Sequence, residues 1–186
     1  MGADVGHISK CDLLGWNILI LVRSAKVIFI TLGSQKFQFN RLLKAVDELC
    51  VSGQFSGNVF AQIGYSDYEP QNYRYKKFMD RNEFAESIIQ ADIVITHGGT
   101  GAIINAVKQG KKVIAVPRLA RYGEHVDDHQ IQLLKEFDEM RFIEACYDPT
   151  NLKEAFQNIQ SRTYLPYVSN TERIICSIEE FLNTSK

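Results

Sequence analysis

The sequence predicts an α/β domain built on a mostly parallel, doubly wound sheet. Three observations carry that prediction. Short β-branched runs alternate with helix-period segments of about ten residues. Two of the runs end in glycine turns that open into polar or helical sequence, as strand exits do in such sheets. The chain of 186 residues is also long enough to bury one sizeable core.

Taken in order, VIFITL (27–32) is a buried first strand, broken by Gly33-Ser34-Gln35. FNRLLKAVDELC (39–50) sets Leu42, Leu43, Val46 and Leu49 on one helical face. NVFAQIG (58–64) is a second strand, and YRYKKFM (73–79) a third, polar enough for a sheet edge. RNEFAESIIQA (81–91) groups Phe84, Ala85, Ile88 and Ile89 into a short amphipathic helix. The strand DIVIT (92–96) runs into a glycine turn and the helix TGAIINAVKQG (100–110), with Gly110 suited to the C′ position.

KVIAVP (112–117) is the next strand. The polar loop RLARYGEHVDDHQ (118–130) then leads to the helix IQLLKEFDEM (131–140). RFIEACY (141–147) is the last strand and DPTNLKEAFQNIQ (148–160) its helix, with Asp148 or a neighbour capping and Pro149 in the first turn. SNTERIICSIEEFLN (169–183) opens on an S-x-x-E capping box, Ser169 and Glu172. Its stripe of Ile174, Ile175, Ile178, Phe181 and Leu182 reads either as core packing or as an interface with another chain.

Residues 27–186 thus form one domain ending in an amphipathic helix, and residues 1–26 an N-terminal extension of undetermined structure. Within the extension, WNILILV (16–22) reads as an added strand or a short leader. A signal peptide fits poorly: DVGHISKCD upstream is hardly basic, and no small-x-small cleavage site follows. No stretch approaches the roughly 20 apolar residues that span a bilayer.

A formal net charge of −1 lacks the basic excess of a nonspecific nucleic-acid binder. Cys11, Cys50, Cys146 and Cys176 contain no C-x-x-C pair, which excludes zinc ribbons and disulfide scaffolds and points to a reducing cytoplasm.

The chemistry concentrates at three strand exits. TLGSQ (31–35) and THGGTGA (96–102) are both glycine turns. In the second, Gly98, Gly99 and Gly101 leave main-chain N–H groups around Thr100 open to an anion, and the helix dipole adds partial positive charge. A diphosphate would be held there without a Walker lysine. The competing reading is that the glycines only let strand and helix pack closely. A nicotinamide site is disfavoured, because G-x-G-x-x-G does not follow the first strand and no acidic residue closes the second.

The loop GEHVDDHQ (123–130) admits three readings. His125, Asp128 and His129 have the composition of a zinc or iron site. Alternatively Asp128, His129 and Gln130 hydrogen-bond a polyhydroxylated ligand. In the third reading Asp127 or Asp128 caps the following helix and the histidines are solvated.

In combination, VIFITLGSQ, ADIVITHGGTGAIINAV, KVIAVPR and YGEHVDDHQ, in that order, resemble the C-terminal domain of glycosyltransferase family 28 over about residues 26–160. Within that family the chain is similar to short stand-alone donor-binding subunits of two-subunit transferases. These serve dolichol-linked glycans or bacterial capsule and exopolysaccharide. The resemblance implies a Rossmann-like domain equivalent to the C-terminal half of a GT-B fold. It also implies a UDP-sugar donor such as UDP-GlcNAc or UDP-galactose, with no metal and no further cofactor.

By the same resemblance, Gly33, Ser34, His97, Gly98, Gly99, Thr100 and Gly101 would meet the diphosphate, His97 being otherwise a buried histidine bonded to its own turn. Asp128, His129 and Gln130 would meet the donor sugar, Gln130 foremost. The segment FMDRN (78–82) would border the uracil, with Phe78 or Met79 flanking the base or belonging to the core. Asn105 stands where many relatives carry an acidic residue for the ribose hydroxyls, and its uncharged hydrogen bond is the weaker one.

No catalytic residue is assigned in this chain. The base for the acceptor hydroxyl comes from the N-terminal half in complete GT-B enzymes, and about 26 residues precede the first core strand here. His7, the only histidine among them, is not placed at the donor site. The expectation is a split inverting transferase. Its partner would be membrane-anchored and hold a lipid-linked acceptor, and this chain would lie at the cytosolic membrane face without spanning the membrane. The alternatives are a non-catalytic stimulating subunit and, less favoured, a metal-dependent hydrolase using His125, Asp128 and His129.

Overall fold

The structure is a computed structural model that describes residues 26–55, 57–170, 175–177 and 179–180. Among them, six strands form one sheet: β1 (Val27–Thr31), β2 (Asn58–Gln62), β3 (Arg74–Lys76), β4 (Ile93–His97), β5 (Lys112–Val116) and β6 (Glu144–Ala145). The helices α1 (Asn40–Val51), α2 (Arg81–Gln90), α3 (Thr100–Lys108), α4 (His129–Glu139) and α5 (Leu152–Ser161) accompany them, and the described residues 175–177 and 179–180 are helical as well. The strand order is β3-β2-β1-β4-β5-β6, and every pairing is parallel.

A parallel sheet covered on both faces needs strands that are apolar on both. The central strands meet that demand by alternation. Ile28 and Ile30 of β1, Ile93 and Ile95 of β4, and Ile114 and Val116 of β5 face the layer built by α1 and α5. There they meet Leu42, Leu43, Val46, Leu152 and Ile159. Phe29, Val94, Val113 and Ala115 point the other way, into Ile88 of α2, Ile103 and Val107 of α3, and Leu134 of α4. Both clusters are closed to solvent.

Several elements are shorter or shifted relative to expectation. The edge strand over 73–79 contracts to Arg74–Lys76, because it pairs on one side only, through Phe60, Ala61 and Gln62. The strand over 141–147 contracts to Glu144–Ala145, because the preceding turn runs through Arg141 at φ +58° and the Phe142 amide bonds back to Phe137. Helix α4 starts two residues early, at His129, so His129 and Gln130 lie on its first turn. Asp148 does cap, but it caps a 3-10 turn, Pro149–Asn151, through the Thr150 amide. Gly110 sits at the C′ position of α3 with φ +69°.

The N-terminal extension to residue 25 lies outside the described residues, as do Glu172 of the expected capping box and Ile174, Ile178, Phe181 and Leu182 of the stripe. Ile175 is described and is 48% exposed.

Candidate functional site

The chain leaves β1 for β2 on one side of the sheet and returns through β4 to build the other. The exits of β1 and β4 therefore diverge at the centre, where parallel α/β sheets open a crevice. Thr31 is level with Thr96 in the register, which sets the turn after β1 beside the turn after β4. Between them lies an open cleft of about 520 Å³, a size suited to a small-molecule ligand.

Gly33, Ser34, His97, Gly99, Thr100, Gly101 and Asn105 line the cleft. The amides of Thr100 and Gly101 head helix α3 and have no intrahelical acceptor. Gly33 holds φ +71°, and its amide donates to Thr31 Oγ1 at 3.4 Å. Thr31 in turn donates to Gln62 Oε1 at 3.0 Å.

His97 fills the wedge between the two turns and is 8% exposed. A Cβ on Gly33 would stand 2.7 Å from its Cε1, and one on Gly99 would run into its Nε2. The glycines thus make room for the imidazole. Burial, reinforced by the nearby Arg118 cation, pushes the ring down to about 4, so it is neutral at physiological pH. The one N–H of the neutral ring is directed at the Thr31 main-chain carbonyl, which opposes part of that shift.

The remaining expected residues divide. Met79 lines the cleft, whereas Phe78 lies outside it, half-exposed and edge-to-face on Tyr65 at 5.0 Å between centroids. Asn105 Oδ1 accepts from Gln109 Nε2 at 3.3 Å. Gly98 faces away from the opening: its amide donates to Gln130 Oε1 at 3.1 Å. Gln130 is buried behind the turn, and the same oxygen accepts the Arg118 amide at 3.0 Å. Asp128 turns back to accept the Ala120 amide at 2.7 Å, and His129 is exposed beside Asp127. Asp128, His129 and Gln130 are not among the residues lining the cleft.

The possible metal ligands differ by one residue from the expected set. Among the described residues, His125, Asp127 and His129 bring ligand atoms within 4.8 Å of one another, with Asp127 in place of Asp128. Two imidazoles and one carboxylate have the composition of a zinc or iron site. Hydrogen bonding already explains the grouping. Asp127 Oδ1 accepts the His129 amide at 3.2 Å and faces His129 Nδ1, which holds the Asp127 carboxyl below its usual range.

Asp80 and Arg81 of the FMDRN segment enter the site, and other residues join them from positions with no expected role. Thr31, Gln62 and Phe84 also line the cleft. Asp80 had a legible signal: with Glu83 it forms a D-x-x-E capping box on α2. Glu124, 1% exposed, accepts Arg41 Nε and Nη2, each at 3.0 Å, and the Leu119 amide at 3.0 Å. Arg118 is likewise fully buried. Charged residues in a polar stretch ordinarily read as solvated, so neither announced itself.

Comparison with known proteins places this geometry. The model of the glycosyltransferase family 28 C-terminal domain matches residues 27–179. UDP-N-acetylglucosamine transferase subunit ALG13 of Mus musculus is 25% identical over 129 residues, covering 65% of this chain and 11% of that protein. The solution structure of ALG13 superposes with a TM-score of 0.56 at 18% identity, over 77% of this chain and 90% of that one. The glycotransferase of kitacinnamycin gives 0.58 at 19% identity, over 76% and 36%. MurG of Acinetobacter baumannii gives 0.53 at 19%, over 78% and 44%. The Rossmann-like fold is thus shared with the C-terminal domains of GT-B glycosyltransferases.

Proposed function

Because this chain belongs to the glycosyltransferase family 28 C-terminal domain family, we propose that it is the donor-binding subunit of a split inverting glycosyltransferase. The observation that carries the proposal is the pair of glycine turns packed on His97 at the head of α3, an anion cradle formed of main-chain amides. Its donor is a UDP-sugar of the UDP-GlcNAc or UDP-galactose type. The mouse relative is a UDP-N-acetylglucosamine transferase subunit, which supports both the donor class and the need for a partner.

The chemistry follows from the cradle. As the glycosidic bond breaks, negative charge grows on the departing UDP. The amides of Thr100 and Gly101 and the dipole of α3 are the groups that would meet that charge. Preorganised donors of this kind lower the barrier without reorganising during the reaction. Gly33 and Ser34 close the opposite wall, Asn105 meets the ribose, and Met79 borders the uracil. Asp128, His129 and Gln130 stand behind this cleft, so a contact with the donor sugar would require them to turn toward it. No metal or other cofactor is needed. The partner, membrane-anchored and facing the cytosol, supplies the lipid-linked acceptor and its base within hydrogen-bond reach. Capsule, exopolysaccharide or another lipid-linked glycan would be the product.

Calorimetry with UDP, UDP-GlcNAc and UDP-galactose tests the donor site, and co-expression with the candidate partner tests transfer. Binding by this chain and transfer only by the pair are expected. Full activity of the partner alone would make this chain a stimulating subunit instead. Absence of UDP binding, both alone and in the complex, would overturn the reading.

A further inference from the structure

We infer that Arg118 and Gln130 are positioning residues that fix the spacing between the two turns gripping the diphosphate; this rests on the UDP-binding reading above. Arg118 leaves β5 directly after Pro117 and is 1% exposed. Its Nη2 donates to Leu32 O at 2.7 Å and to Phe37 O at 3.4 Å, on either side of the turn after β1. Its amide donates to Gln130 Oε1, which also accepts the amide of Gly98 in the turn after β4. One polar path therefore runs from the first turn through the guanidinium and backbone of Arg118, across a single amide oxygen, to the second turn. Its members lie behind the cleft rather than on its wall.

The path is costly, which argues that it serves more than stability. Arg118 Nε and Nη1 are buried without a hydrogen-bond partner, and such groups lose hydration without return. Burial pushes the guanidinium down to about 10, with Glu124 opposing the shift. The Phe39 ring lies 5.6 Å from the guanidinium carbon, so an unbranched apolar chain would have a surface to pack on. The arginine adds reach to two carbonyls that no apolar side chain can hold.

The inference separates Gln130 from a purely sugar-contacting role. A contact with the sugar affects UDP-GlcNAc but not UDP. A spacing function affects both equally, and spares uridine, which has no phosphates. The test titrates uridine, UDP and UDP-GlcNAc by NMR and calorimetry against the wild type, Arg118→Met, Arg118→Lys and Gln130→Met.

Both methionine variants are expected to weaken UDP and UDP-GlcNAc by the same factor, about tenfold, as loss of one or two hydrogen bonds implies. Uridine is expected to be unaffected, and Arg118→Lys to recover part of the loss. Unchanged UDP affinity in Arg118→Met, a loss confined to UDP-GlcNAc in Gln130→Met, or a parallel loss of uridine would each overturn the inference.

Amide hydrogen exchange on the free proteins reads the same spacing without ligand. Faster exchange at residues 32–37 and 98–101 in Arg118→Met, with the sheet unchanged, supports it, and unchanged exchange at both turns defeats it. A wild type that fails to bind UDP would overturn the donor reading, while the exchange result still decides the spacing.

Discussion

His97 concentrates the physics of the site in one side chain. Its ring is held neutral by burial and by Arg118, about 4 against an ordinary 6.5. Its folded pKa is thus depressed below the unfolded value. Between those two values the unfolded chain takes up a proton that the folded one refuses, so stability falls as pH drops through the window. Urea unfolding should show a loss of about 2 kcal/mol from this group by pH 4.5, and His97→Asn should lose correspondingly less over the same interval.

The glycines around this ring are not equivalent. A methyl group at Gly101 meets open space. Gly101→Ala should therefore keep the fold, or add up to about 1 kcal/mol as a helix former, while obstructing the cleft that residue lines and weakening UDP binding measurably by calorimetry. Gly33→Ala should instead cost about 1–3 kcal/mol in a thermal melt, because it strains a positive φ and strikes His97.

At the level of elements, the exits of β1, β4 and β5 are secured by polar contacts over long sequence separations. Arg41 on the first turn of α1 reaches Glu124 and Pro117 O, so one salt bridge fastens the loop after β5 to the opposite layer. Removing the buried carboxylate leaves Arg41 without its charge partner and the Leu119 amide without its acceptor. Glu124→Ala should cost about 3 kcal/mol in a urea titration. A double-mutant cycle with Arg41→Met should return a coupling of at least about 0.5 kcal/mol. Additivity of the two changes would show that the pair is not coupled.

The same scale explains the shortened edges. β3 and β6 each pair on one side only, and chain beyond the last partner has no reason to stay extended. At the far edge, Glu144 on β6 accepts Asn158, Arg162 and Tyr164, which ties the segment after α5 to the sheet.

Over the whole molecule, a formal charge of −1 offers a diphosphate no long-range attraction. Affinity must then come from local amides and a helix terminus. UDP binding should accordingly survive exhaustive chelation with EDTA at unchanged affinity. Loss of binding on chelation, restored by a divalent ion, would bring His125, Asp127 and His129 back as a metal site.

The fold was legible because burial on both faces of a parallel sheet demands β-branched runs, and helices on its faces demand a 3.6-residue period. Gly98 and Gly99 were legible as close-approach positions and Gly110 as a helix terminus, whereas Gly101, read the same way, has open space beside it. The sequence by itself determined the α/β class, the order of elements and the two glycine turns. Tertiary structure alone decided that β1 lies between β2 and β4, so that turns 65 residues apart face each other with His97 between them. It also decided that Asp127 rather than Asp128 groups with the histidines, and that the amide oxygen of Gln130 is taken by Gly98 and Arg118. The physical reason is range. Periodicity and turn chemistry record interactions within a few residues, whereas a buried polar side chain takes its partners from whichever strand exits the sheet order brings alongside it.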